Sequence, residues 1–135
     1  MKYGTLLSFS EQQLVSCDTT DAGCNGGWMD DAFTFAQKNG GLTTEDQYPY
    51  TSGTTGKSGT CQKSGYTNVA KVAPSSYTDV ATGSVTALQS AVVQQPVSIA
   101  IQANQAAFQS YKSGVLTGKC GQNLDHGIVI TIAWF

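Results

Sequence analysis

One histidine, His126, and four cysteines, Cys17, Cys24, Cys61 and Cys120, are the side chains of this sequence best suited to covalent or metal chemistry. An imidazole beside a thiol makes a nucleophile, because the thiolate attacks and a neighbouring imidazolium stabilises it. Zinc is the competing use of these residue types. With no C-x-x-C pair and a single histidine, the spacing does not suit a structural zinc site, and no metal is expected. A disulfide framework is the better reading, and it implies an oxidising compartment. Four cysteines allow three full pairings, and spacing alone does not choose among them. Judged only by its neighbours, His126 reads as a strand histidine satisfied by a backbone carbonyl. Asp30, Asp31, Glu45 and Asp46 read as a solvated face, with no spacing that pairs two carboxylates for acid–base work.

These residues must be positioned by helices in the first half and strands in the second. Phe9-Ser10-Glu11-Gln12-Gln13-Leu14 predicts a helix start. Ser10 can accept from the Gln13 amide and the Gln13 side chain can reach back to the Ser10 amide, with Phe9 against Leu14 as a hydrophobic staple. That helix is expected to end near Cys17-Asp18. Asp21-Ala22-Gly23-Cys24-Asn25-Gly26-Gly27 predicts a tight loop. Trp28 to Asn39 predicts a second helix, with Trp28, Ala32, Phe35 and Ala36 on one face and Gly40-Gly41 as its stop. Leu42 to Ser64 is loop-like and needs a staple, for which Cys61 is the obvious residue.

From there the pattern changes. Strands are expected at Tyr66–Val72, Tyr77–Val80, Val97–Ile101, Tyr111–Leu116 and His126–Ile132. A helix is expected over Gly83–Gln95, with Val85, Leu88, Ala91 and Val92 sharing a face, and a short one over Ala106–Tyr111. The switch predicts two lobes with a boundary near Ala73-Pro74, giving segments 1–73 and 74–135.

Composition narrows the function. The chain has 135 residues, of which 40% are hydrophobic, enough to exclude disorder. Charged residues are 12% and the formal net charge is -2, which argues against nucleic acid as the main partner and gives no hold on an anionic membrane surface. No apolar run reaches the roughly 20 residues needed to span a bilayer. No signal peptide is visible near Met1. The last residues, Ile128 to Phe135, end inside a strand-like run, and the chain is expected to be a piece of something longer.

Five segments, in order, resemble the papain-like cysteine peptidases, in particular the cathepsin L-like branch. They are Ser8-Phe9-Ser10-Glu11-Gln12-Gln13-Leu14-Val15-Ser16-Cys17, Gly23-Cys24-Asn25-Gly26-Gly27, Tyr48-Pro49-Tyr50, Gln95-Pro96-Val97-Ser98-Ile99 and Leu124-Asp125-His126-Gly127. The resemblance implies an α+β fold of two lobes, here incomplete: part of a helical lobe with one wall of the cleft, and part of a β-rich lobe carrying His126. His126 is then the catalytic imidazole. Asn25, Gly26 and Gly27 form a cleft wall, with Gly27 pairing with substrate backbone. Trp28, Met29, Ala100, Leu124 and Gly127 line an apolar specificity pocket, and Asp125 sits at the rim. Cys17 pairs with Cys61, leaving Cys24 and Cys120 as free thiols in this chain.

The same resemblance shows what the sequence does not contain. The family nucleophile lies in a C-G-[SA]-C-[WY] motif about 130 or more residues before the histidine. Neither Cys17 nor Cys24 is far enough upstream, and neither is followed by Trp or Tyr. The triad asparagine falls beyond Phe135. The parent is therefore expected to be a thiol endopeptidase, made as a secreted or lysosomal/vacuolar zymogen, acting on peptide or protein substrates as a monomer. Propeptide and cystatin-like inhibitors are its implied partners, and no cofactor is implied. The 135 residues alone are expected to be inactive and of low stability. Two other readings stand beside this one: a non-catalytic relative that binds extended peptides, and a truncated gene model, for which the departure of Ile130 to Phe135 from the family's Gly-Tyr-Gly is the sign.

Overall fold

The structure, a computed structural model, describes residues 5–131. The chain divides into two compact units, residues 1–78 and 79–135.

The first unit carries three helices, α1 (Glu11–Cys17), α2 (Met29–Lys38) and α3 (Ser52–Thr55). Ser10 caps α1 as its sequence predicts, its Oγ accepting from the Gln13 amide at 3.0 Å. The reciprocal half of the box is not made. The Ser10 amide instead donates to the Thr43 carbonyl at 3.0 Å. Gln13, fully buried, turns its side chain outward from its own helix: Oε1 accepts from the Thr43 amide at 2.8 Å and Nε2 donates to Asn68 Oδ1 at 2.9 Å. A long-range partner has displaced the local one, because the buried Thr43 amide would otherwise lack a bond.

Gln12 does the same for the next segment. Its Oε1 accepts from the amides of Thr51 and Ser52, each at 2.8 Å. Its Nε2 lies 2.8 Å from Ser52 Oγ and 2.7 Å from Ser16 Oγ. Among the described residues of this unit six polar ones are buried, Ser10, Gln12, Gln13, Asp18, Thr43 and Ser52, against two hydrophobic ones, Ala36 and Tyr48. This half is thus knitted by a polar network more than by an apolar core, and of its buried side-chain oxygens Asp18 Oδ2 and Glu45 Oε2 have no partner among the described residues. The Cys17–Cys61 disulfide closes the loop, with Cα atoms 4.8 Å apart and a sequence separation of 44. Closure of such a loop contributes about 3–4 kcal/mol in the chain-entropy treatment.

α2 begins one residue later than its pattern predicts. Trp28 is its N-cap, extended and 57% exposed, so only Ala36 of the expected apolar face is fully buried. The helix ends at the glycine pair. Gly41, buried at φ +102°, is held against the backbone of Val69, where a Cβ would lie 2.8 Å from the carbonyl carbon and closer still to its oxygen. That close approach is the isolated Leu42–Val69 bridge. It is all that forms of the strand expected at Tyr66–Val72, which passes into a 3₁₀ turn at Ala70–Val72. The expected strand at Tyr77–Val80 does not form either. Phe33 and Tyr77 stack with ring centroids 6.1 Å apart.

The second unit holds α4 (Val85–Gln94), β1 (Val97–Ile101), α5 (Ala106–Gln109) and β2 (His126–Ile130). Ser84 caps α4 by accepting from the Ala87 amide at 3.1 Å, and Pro96 follows its end. Val92 is buried while Val85, in the first turn, is 71% exposed, so the expected face holds only toward the C-terminus of the helix. β1 and β2 pair antiparallel, with Ala100 opposite Gly127 and Ile101 opposite His126. β2 is two residues shorter than its pattern, and Ile132 lies outside the described residues. Tyr111–Leu116 is not a strand. An extended run needs a partner strand for its amides, and among the described residues none pairs with it; the Tyr111 amide donates to the Phe108 carbonyl at 3.1 Å instead.

Candidate functional site

The loop that leads into α2 is built around the Asp21 side chain. Its Oδ1 accepts from the Trp28 amide at 2.8 Å, tying the two ends of the loop together. The Ala22 amide donates to the Gly26 carbonyl at 2.9 Å, and a 3₁₀ turn spans Gly23–Asn25. Gly26 has φ +108°, which favours glycine strongly. The Cys24 amide donates to Ser58 Oγ at 3.0 Å, which fastens the loop to the stapled segment. Asn25, Gly26, Gly27 and Trp28 are all exposed, and Met29 opens the helix half-buried.

Within this loop Gly27 stands apart. Its amide and carbonyl make no hydrogen bond among the described residues. An exposed backbone donor and acceptor on one residue is what an extended peptide needs to pair with. Gly27 is not at positive φ, so backbone conformation is not what calls for glycine there.

In the second unit the chemistry gathers where β1 ends and β2 begins. The Asp125 amide donates to the Ile101 carbonyl at 3.0 Å, carrying the strand pairing one step past the register. Asp125 Oδ1 accepts from the Ala103 amide at 2.6 Å. Gln102 braces the same corner, accepting from the Asn123 amide at 2.9 Å. Together they fix the backbone that presents His126. The imidazole itself is exposed and makes no hydrogen bond among the described residues, so it is not the carbonyl-satisfied strand histidine that its neighbours alone would suggest. It borders an open cavity of about 390 Å³ shared with Ala103, Asn104, Phe108, Gln109 and Asp125.

Ala100 and Leu124 line a second cavity, about 310 Å³ and mostly apolar, with Phe108, Leu116, Cys120 and Ile128 among its walls. Gly127 lies opposite Ala100 in the sheet and does not line that cavity. Cys24 and Cys120 are both exposed free thiols. Among the described residues no group of histidine, cysteine and carboxylate side chains is arranged to hold a metal ion, and no helix is long and apolar enough to cross a membrane.

The sequence missed Asp21 and Gln102. Both act across loops by accepting backbone amides, and a single polar residue in a glycine-rich stretch carries no periodic signal. Asp21 was visible only as a turn residue.

The chain matches the family described as "Papain family cysteine protease" over residues 1–134. It is 53% identical over 127 residues to cysteine proteinase COT44 of Brassica napus, covering 93% of this chain and 37% of that protein. It is 51% identical over 129 residues to a low-temperature-induced cysteine proteinase of Solanum lycopersicum, covering 94% and 36%. Among solved structures, the bromelain protease of Ananas comosus in complex with the E64 inhibitor superposes with a TM-score of 0.81 at 38% identity, covering 95% of this chain and 56% of that one. The ragweed pollen cysteine protease Amb a 11 in its proform gives 0.80 at 42% identity, covering 96% and 38%. This chain therefore spans little more than a third of the length of those two curated relatives. It belongs to the papain family of cysteine proteases, and its helices and small antiparallel sheet are an incomplete papain-like α+β fold.

Proposed function

We propose that these residues are part of a cysteine endopeptidase in which His126 is the catalytic imidazole. The observation that carries the reading is an exposed His126, its ring without a hydrogen bond among the described residues, held by a braced strand end. In peptide hydrolysis an imidazolium stabilises the attacking thiolate, and the same ring then protonates the leaving amine. Asp125 and Gln102 secure the backbone from which the ring projects. Gly27 offers its amide and carbonyl to an extended substrate, with Asn25 and Gly26 as the flanking wall. Ala100 and Leu124, which share an apolar cavity, favour a bulky apolar substrate side chain.

Residues 1–73 are then part of a helical lobe and residues 74–135 part of a β-rich one. The 135 residues hold no cysteine in the nucleophile motif, so by themselves they do not hydrolyse peptides. The relatives solved as a proform and with E64 support propeptide and inhibitor binding by the whole protein. The disulfide supports a secreted or vacuolar setting. Full-length protein assayed on a denatured protein substrate tests the reading. Activity that disappears in His126→Ala supports it, and undiminished activity in that variant refutes it.

A second reading, peptide binding without catalysis, draws on the same Gly27 backbone, which has no hydrogen-bond partner among the described residues. Saturable binding of unfolded peptides by the 135-residue chain, lost on substitution at Gly27, favours it.

A further inference from the structure

Gly27 has two possible reasons to be glycine, and they predict different genetics. A peptide lying against its backbone leaves little room for a side chain. The structure supplies another reason from inside the chain. A Cβ built on Gly27 would lie 2.5 Å from Asp21 Oδ2 and closer still to Oδ1 and Cγ. The Asp21 carboxylate rests on the Cα face of Gly27 while its Oδ1 accepts from the Trp28 amide at 2.8 Å. Since Gly27 does not have positive φ, space and not backbone conformation sets the requirement. By contrast a Cβ on Gly26 would meet nothing within 4 Å, so at that position conformation alone asks for glycine.

We infer that Asp21 is a positioning residue for the peptide-pairing edge: it clamps the Trp28 amide, occupies the space a side chain at position 27 would need, and thereby fixes the Gly27 amide and carbonyl for substrate. The inference rests on the proposed pairing of Gly27 with substrate backbone. Its chemistry is that of a short carboxylate accepting a backbone amide, a charge-assisted bond stronger than a neutral one. Asp21 also stands before the N-terminus of α2, where a negative charge is favoured. A methyl group at position 27 forces the carboxylate aside and releases the Trp28 amide. Gly27→Ala and Asp21→Ala therefore damage one device, and their effects do not add.

The test is a double-substitution cycle on the full-length protein, read as KM and kcat for a peptide substrate. Gly27→Ala and Asp21→Ala are each expected to raise KM about tenfold, the scale of one such bond, with a smaller change in kcat. Adding Gly27→Ala to Asp21→Ala is expected to change KM less than twofold. Asp21→Asn keeps an acceptor for Trp28 and is expected to recover most of the loss. Equal cost of Gly27→Ala in both backgrounds overturns the inference, because the substrate alone would then exclude the side chain. An active protein in which no variant moves KM refutes instead the pairing of Gly27 with substrate. Exchange of the Trp28 amide proton in the full-length protein, followed by NMR, tests the clamp without any activity. Faster exchange in Gly27→Ala, matching Asp21→Ala, supports the inference; unchanged exchange in Gly27→Ala overturns it.

Discussion

The side-chain oxygen of Gln12 accepts from the backbone amide of Ser52 at 2.8 Å, across 40 residues of sequence. Gln12 is 2% exposed, and it also takes the Thr51 amide. Truncation to Gln12→Ala leaves both amides without their acceptor, and the Ser52 amide, at a buried residue, is shut off from easy hydration. The expected loss is about 3 kcal/mol, since an unsatisfied buried donor costs roughly 1–3 kcal/mol. Urea denaturation of the oxidised protein measures it as a lowered midpoint at unchanged slope.

The Cys17–Cys61 bond holds the segment that carries Tyr48, whose hydroxyl accepts from the Gln62 amide at 3.2 Å. Cys17→Ser with Cys61→Ser is expected to cost about 3–4 kcal/mol. Thermal unfolding with and without reductant checks this. The wild type loses stability on reduction, and the double variant is insensitive to it.

Asp125 braces the strand end through the Ala103 amide. Asp125→Ala removes an exposed bond and is expected to cost about 0.5–1.5 kcal/mol of stability. Its larger effect is on activity of the full-length protein, with kcat lowered about tenfold as His126 loses its fixed backbone. Asp125→Asn, which keeps the acceptor, is expected to lie close to wild type. Steady-state kinetics of both variants distinguish bracing from simple loss of charge.

Only Ala36, Tyr48 and Val92 are fully buried apolar residues among those described, while Leu6 and Val115 are each 86% exposed. So thin a core predicts that the 135-residue chain binds a hydrophobic dye and self-associates as its concentration rises. Sedimentation velocity over a concentration series is the check. A monomer that unfolds cooperatively at every concentration contradicts the expectation.

Which parts of this were legible follows from the range of the interactions. The Ser10 cap and the glycines after α2 act within a few residues, and the elements they bound lie where the sequence puts them, whereas α4 starts two residues later than its pattern, behind a Ser84 cap that the sequence reading did not name. Val97–Ile101 and the start of β2 at His126 were legible for the same reason, as short apolar runs between turn residues. Gln13 was misread because a capping box is a local guess and Thr43 and Asn68 lie far along the chain. The segments at Tyr66–Val72 and Tyr111–Leu116 have strand composition, but β structure is a property of pairs, and composition does not show the partner. The Cys17–Cys61 pairing came from family resemblance, since three pairings were open on spacing. At the site, the residues resembling a known motif could be named, whereas Asp21 and Gln102 depend on loop geometry that only the folded chain reveals.

The central claim is that His126 serves as a catalytic imidazole. The most direct test is the rate at which the full-length protein hydrolyses a denatured protein substrate, compared between wild type and His126→Ala at equal concentration of folded protein. The account predicts a fall of about 1,000-fold or more, on the scale seen when a member of a catalytic group is removed. A variant that folds and hydrolyses the substrate as fast as wild type contradicts it.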